Sequence, residues 1–168
     1  MYFVTFKKKV NKLQDKFRTF SEYMKKENNS LTASMEDYLE MICRLSAKSG
    51  YVRLHELADA LNVQPPSATK MVQKLSELNL IDYEKYGIIT LSNEGKSIGE
   101  ALIKRHNTIL ELLKTLGIAE NNLLEETEKI EHTVSTETLH CFLRFMDFLE
   151  QNNDIKEKLT QYMKSKRD

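Results

Sequence analysis

At 168 residues, 40% of them hydrophobic, the chain can bury one ordinary core or two small ones. Its 25 basic and 25 acidic residues cancel, so no strong overall field draws it to nucleic acid or membrane, and no apolar run reaches the roughly 20 residues that cross a bilayer. Cys43 and Cys141 form neither a C-x-x-C pair nor a secreted disulfide framework, and in "MYFVTFKKK" the basic block follows the apolar residues, the reverse of a secretory signal; a soluble, cytoplasmic protein is expected.

The charge is unevenly spread. Residues 1–30 hold eight Lys or Arg against three Asp or Glu. Phe3, Phe6, Val10, Leu13, Phe17, Phe20 and Met24 recur there in steps of three and four, the seam of an amphipathic helix sustained for about three heptads. A packing role is expected for this extension, with a DNA-contacting arm or a membrane-surface helix as alternatives.

Residues 31–95 read as a second unit. "SMEDYLEMICRLS" predicts a helix capped by Ser34, with Met35, Leu39, Ile42 and Leu45 on one face and an end near Gly50. "LHELADALNV" places Leu54, Leu57, Ala58 and Leu61 on a stripe. In "QPPSATKMVQKLSELNL" a new helix starts at two prolines, where a missing N–H costs no hydrogen bond, and buries Ala68, Met71, Val72 and Leu75. Two short helices around a tight turn suggest a helix-turn-helix. The period then changes: "LIDY" and "IITL" flank "EKYG", whose Gly87 can adopt the positive φ of a hairpin. A helix, a helix-turn-helix and a β-hairpin, in that order, predict a winged-helix DNA-binding domain. Gln64 and Pro66 at the start of its second helix, and Ser67, Thr69, Lys70, Gln73 and Lys74 outside its apolar stripe, are the candidate contacts to phosphates and base edges. Lys85 and Tyr86 at the hairpin tip would reach the flanking backbone or minor groove. The plainer alternative is a solvated helix face.

Residues 96–168 read as all-α. A helix from about Asn93 to Leu116 carries Ile98, Leu102, His106, Ile109 and Leu113, and Gly117 ends it; a second starts near Glu120 and a third near Thr136. The third shows Leu139, Phe142, Leu143, Met146 and Leu149, a larger stripe than one small domain needs. Leu139, Phe142, Leu143 and Met146 are therefore expected at a homodimer interface. The fold class is mainly α, a winged helix-turn-helix with a small β-hairpin followed by an all-α domain.

"TEKIEHTVS" places Glu128, Glu131 and His132 on one helical face, and Asp37 and Glu40 lie three apart on the first helix. Each has an ordinary explanation alone: Asp37 could complete a capping box with Ser34, Glu40 could be solvated, and His106 could be a satisfied core histidine. Together these six residues form a set of oxygen and nitrogen ligands suited to a hard or borderline divalent cation. Paired cations bridged by carboxylates also hydrolyse esters, but no nucleophile pattern or phosphate-cradling glycine loop accompanies them, so neither an enzyme nor a small-molecule substrate is expected.

From about Ser34 to Asn152 the chain resembles the diphtheria-toxin-repressor family of metal-dependent transcriptional repressors, and within it the manganese transport regulator branch. The motifs that carry the resemblance are "SMEDYLE", "PPSATKMVQKL", "YEKYGIITLSNEGK", "KRHNTIL" and "EKIEHTVS". The resemblance implies that Asp37, Glu40, His106, Glu128, Glu131 and His132 are metal ligands around two adjacent Mn2+ ions per chain, with Fe2+, Co2+, Zn2+ or Cd2+ as other occupants. It further implies a homodimer that represses transcription from double-stranded operator DNA, with metal linking the two halves. Iron-responsive relatives have methionine and cysteine at the positions of Asp37 and Glu128, and carry an SH3-like third domain beyond the resembling region. The alternatives are a regulator responsive to iron or another metal, and a winged-helix regulator with a non-metal effector.

Overall fold

The computed structural model describes residues 31–84 and 87–165; the patterned extension, Lys85 and Tyr86 lie outside them. Helix α1 (Ala33–Ser46) begins two residues earlier than its sequence suggests. Its N-cap is Thr32, whose hydroxyl accepts from the Met35 N–H, so Ser34 lies inside the helix and Asp37 completes no capping box with it. One face of α1 supplies the core residues Tyr38, Leu39 and Ile42, while Leu45 is exposed.

Strand β1 (Val52–Arg53) leads directly into α2 (Leu54–Ala60), and α3 (Pro65–Glu77) follows with prolines at its first two positions. Asn62 between α2 and α3, and Asn79 after α3, take φ of 52° and 56°. Asparagine tolerates this region, which is how each turn closes without glycine. Strands β2 (Ile81–Tyr83) and β3 (Ile88–Leu91) form the expected hairpin, with Gly87 at φ 76°. Beyond that expectation, β1 pairs antiparallel with the other side of β3, Val52 opposite Ile89, giving a three-stranded sheet in the order β1-β3-β2. Leu57, Ala68, Val72, Leu75, Ile81 and Ile89 close one core with α1, and Leu102 of the next helix enters the same core.

That next helix, α4 (Asn93–Thr115), is the spine of the molecule. It is capped by Ser92, whose hydroxyl accepts from the Gly95 N–H and donates to the Leu80 carbonyl. It packs along α1 on one side and against α5 (Glu120–Glu131) and α6 (Thr136–Gln151) on the other. A final helix, α7 (Asn153–Ser165), is separated from α6 by a break at Asn152 (φ −129°, ψ 72°) and packs on α6. The described residues after Ser92 thus contain four helices where three starts were legible.

Two glycines allow α4 to approach its neighbours. A Cβ on Gly95 would lie 1.8 Å from the Leu80 carbonyl oxygen, and one on Gly99 would lie 2.8 Å from Cys43 Cβ. Gly95→Ala is expected to destabilise the protein by about 3 kcal/mol or more, despite the better helix propensity of alanine, and Gly99→Ala by about 1–2 kcal/mol. Urea unfolding monitored by circular dichroism checks both; wild-type stability of Gly95→Ala would contradict the close approach.

Candidate metal centre

Three helices bring the ligand candidates together. The face of α1 opposite its core stripe carries Asp37 and Glu40; α4 contributes His106 from within an otherwise apolar row; the last turn of α5 contributes Glu128 and Glu131, and its C-cap is His132. Ligand atoms of Asp37, Glu128, Glu131 and His132 lie within 4.8 Å of one another, as do those of Glu40, His106 and Glu131. Glu131 belongs to both groups. Its side chain is 1% exposed, with Oε2 3.0 Å from His106 Nδ1 and Oε1 3.7 Å from His132 Nε2. A carboxylate with one oxygen directed at each group can bridge two cations.

The remaining distances complete the cluster. His106 Nδ1 is 3.7 Å from Glu128 Oε1 and 4.0 Å from Glu40 Oε1, and His132 Nε2 is 2.8 Å from Asp37 Oδ1. A cleft of about 390 Å³ opens beside them, lined also by Met41, Leu61 and Leu124. The donors are carboxylate oxygens and imidazole nitrogens without sulfur, and they converge, so a hard or borderline divalent cation fits this set.

Electrostatics in the cluster follow from crowding. The hydrogen bond to Glu131 holds the His106 pKa above its usual value against the opposing effect of burial. His132, bonded to Asp37 and Glu36, is raised to about 10. Burial, reinforced by the neighbouring Glu131 charge, raises the Glu128 carboxyl. For Glu36, burial would raise the pKa, but hydrogen bonds from His132 and Arg105 outweigh it and the net shift is downward. Glu36, Arg105 and Arg44 were not singled out in the sequence. Arg44 pairs with Glu40 through its Nε at 2.9 Å, an i,i+4 spacing that could have been read as support for α1. The ion pair between Glu36 and Arg105 spans 69 positions and had no local signal.

On α3, Pro66, Ser67, Lys70, Gln73 and Lys74 are exposed, as is the N-cap Gln64. Thr69 is half-buried and its hydroxyl donates to the Pro65 carbonyl at 2.9 Å. On α6, Leu139, Phe142, Leu143 and Met146 are half-buried, and Leu143 and Met146 line a groove shared with α4. The aromatic residues Phe145 and Phe148 are the exposed ones, at 39% and 47%.

A three-helix carboxylate and imidazole cluster attached to a helix-turn-helix with a small sheet defines a class of metal-dependent DNA-binding regulators, and the chain belongs to the iron dependent repressor family. Residues 30–89 match the family's N-terminal DNA binding domain, and residues 92–160 its metal binding and dimerisation domain. The chain is 39% identical over 128 residues to the HTH-type transcriptional regulator MntR of Lysinibacillus sphaericus, covering 76% of this chain and 92% of that protein. It is 38% identical over 133 residues to the MntR of Oceanobacillus iheyensis, covering 79% and 90%. Among solved structures, the manganese regulator SloR matches with a TM-score of 0.61 at 28% identity over 70% of this chain, and T. acidophilum IdeR with 0.59 at 26% over 71%. The match covers 55% of the length of each of those two chains.

Because the His132 pKa is raised in the folded chain, its ion pairs contribute stability that is fully present below the unfolded value of about 6.5 and is lost as pH rises through about 10. Chelator-treated protein should therefore show a thermal midpoint that falls between pH 7 and pH 10.5, and His132→Ala should flatten that slope. Parallel slopes for the two proteins in a calorimetric pH series would contradict the assignment.

Proposed function

We propose that this chain is a manganese-responsive transcriptional repressor that binds operator DNA as a homodimer when divalent metal occupies the cluster of Asp37, Glu40, His106, Glu128, Glu131 and His132. The observation that carries the proposal is Glu131, buried and shared by two ligand groups that join α1 to α4 and α5. The two groups with one shared carboxylate support a reading of two ions per chain. The sulfur-free donor set favours manganese among the candidates, although Fe2+, Co2+, Zn2+ and Cd2+ share enough of its chemistry to compete. The similarity to the manganese regulator SloR supports the same metal.

The mechanism rests on α1, which serves both halves. Its Leu39 and Ile42 are packed into the core formed with α2, α3 and the sheet, whereas Asp37 and Glu40 face α4 and α5. Metal, when bound, supplies the positive charge that offsets the mutual repulsion of these carboxylates. Asp37 and Glu40 would then be drawn toward Glu128, Glu131 and His132, and α3 would be carried with α1. We assign residues 31–95 to DNA binding, residues 96–168 to metal binding and dimerisation, and the extension at residues 1–30 to packing. Ser67, Lys70 and Lys74, with Gln64, Pro66 and Thr69 nearby, would approach the DNA from α3, and Lys85 and Tyr86 from the hairpin tip; lysines neutralise phosphates and short polar side chains read base edges. Pairing through α6 would set two α3 helices to meet half-sites roughly 34 Å apart. Phe145 and Phe148 join Leu139, Phe142, Leu143 and Met146 as the apolar surface for that pairing. A coupling of about 1–3 kcal/mol between metal and DNA corresponds to a roughly 5- to 150-fold change in operator affinity. In this reading the protein would work in the cytoplasm as a regulator and not as a hydrolase.

Manganese titration of chelator-stripped protein, followed by electron paramagnetic resonance, should count two ions per chain. Duplexes selected from a random pool should bind more tightly with manganese by a factor in the range above. Glu128→Ala is expected to weaken the manganese response while metal-free binding at low salt persists. No bound manganese at millimolar concentration, or equal loss of both binding modes in Glu128→Ala, would contradict the proposal.

A further inference from the structure

His132 is held between two consecutive residues of α1. Its Nε2 faces Asp37 Oδ1 at 2.8 Å and its Nδ1 faces Glu36 Oε2 at 2.8 Å. Consecutive helical side chains diverge by about 100°, so Glu36 and Asp37 can straddle one imidazole placed over their shared turn. Glu36 belongs to neither ligand group: besides His132 Nδ1, Oε2 accepts from Arg105 Nη2 at 2.6 Å, and Oε1 lies 3.5 Å from Arg105 Nη1. Both side chains are nearly inaccessible, 10% for Glu36 and 13% for Arg105. Arg105 Nε is buried without a partner among the described residues, which leaves Glu36 as the guanidinium's main anchor.

A buried ion pair of this kind is weak evidence for stability, because apolar residues of similar volume commonly replace one at no net loss. What Glu36 and Arg105 do specify is the orientation of His132. We propose that Glu36 is a positioning residue for the metal centre, one that fixes the tautomer and ring orientation of His132, with Arg105 holding Glu36 in place. A carboxylate accepts and does not donate, so the short Nδ1 contact requires the proton on Nδ1. Nε2, 2.8 Å from Asp37, donates there in the metal-free chain by the same rule, and it is this proton, with Nδ1 held by Glu36, that a cation bound with Asp37 and Glu131 would displace. His106 presents the opposite nitrogen, Nδ1, to Glu131, Glu40 and Glu128. The two imidazoles therefore address the shared carboxylate through different atoms, and Glu36 serves only the group containing His132. Outer carboxylates of this type contribute roughly 10- to 100-fold to metal affinity.

This inference rests on the metal-centre reading proposed above, and its test separates the two. Manganese per chain is measured by electron paramagnetic resonance for wild type, for Glu36→Gln, and for the double variant Glu36→Leu with Arg105→Leu, which leaves no buried charge unpaired. The wild type should bind two ions. The double variant should bind one with affinity within about 3-fold of wild type and the other 10- to 100-fold more weakly, and Glu36→Gln, whose amide oxygen can still accept from Nδ1, should recover most of the loss. In cadmium-loaded wild type, the imidazole nitrogen-15 shifts of His132 should report a metal-bound Nε2 and a protonated Nδ1; a metal-bound Nδ1 would overturn the inference. So would two ions at wild-type affinity in the double variant, or an equal loss of both. Absence of manganese from the wild type would instead remove the metal-centre reading and this inference with it.

Discussion

The arrangement of the helical half depends on one buried carboxylate. Glu131 is almost fully enclosed, yet it sits beside two other carboxylates, Glu128 and Asp37, and an isolated charge in such a setting is strongly disfavoured. The two imidazoles of His106 and His132 compensate it from opposite sides, and they come from different elements, the middle of α4 and the end of α5. Satisfying Glu131 therefore requires α4 and α5 to meet at one register. The same requirement accounts for a histidine in the apolar row of α4, where Ile98, Leu102 and Ile109 would otherwise continue as plain packing.

The helix α1 is then joined to this site by charge as well as by packing. Glu36 pairs with Arg105 and His132, Glu40 with Arg44, and Asp37 with His132. Desolvating the buried members of these pairs is costly, so the pairs are weak evidence for stability. On the other side of α1, Leu39 and Ile42 lock into the core that also holds Ala68, Val72 and Leu75 of α3. Under the proposed function, a change in how the carboxylate face is compensated would reach α3 through this shared core. The absence of a Cβ at Gly99 and Gly95 lets α4 approach α1 and the Leu80 carbonyl closely.

Much of this was legible in the sequence because it is local. Helical spacing placed Asp37 with Glu40 and Glu128 with Glu131 and His132; prolines marked the start of α3, and the change from helical to alternating period marked the hairpin. The family resemblance joined these pieces into one ligand set. What could not be read was of two kinds. Strand β1 is two residues long and is defined only by its partner β3, so no periodicity announces it. The Glu36 contacts join residues 69 and 96 positions apart, and a glutamate beside a recognised aspartate looks like any solvated side chain until the fold closes. The cap at Thr32 displaced the expected Ser34: either hydroxyl suits a helix start, and it is the Thr32 hydroxyl that accepts from the Met35 N–H.

The most direct test of the account is the manganese stoichiometry of Glu131→Gln, with Asp37→Asn alongside. If Glu131 is the carboxylate shared by both ligand groups, Glu131→Gln should weaken both ions together, whereas Asp37→Asn should weaken one and spare the other. A Glu131→Gln protein that still holds one manganese ion per chain at wild-type affinity would contradict the shared carboxylate on which the rest of the account depends.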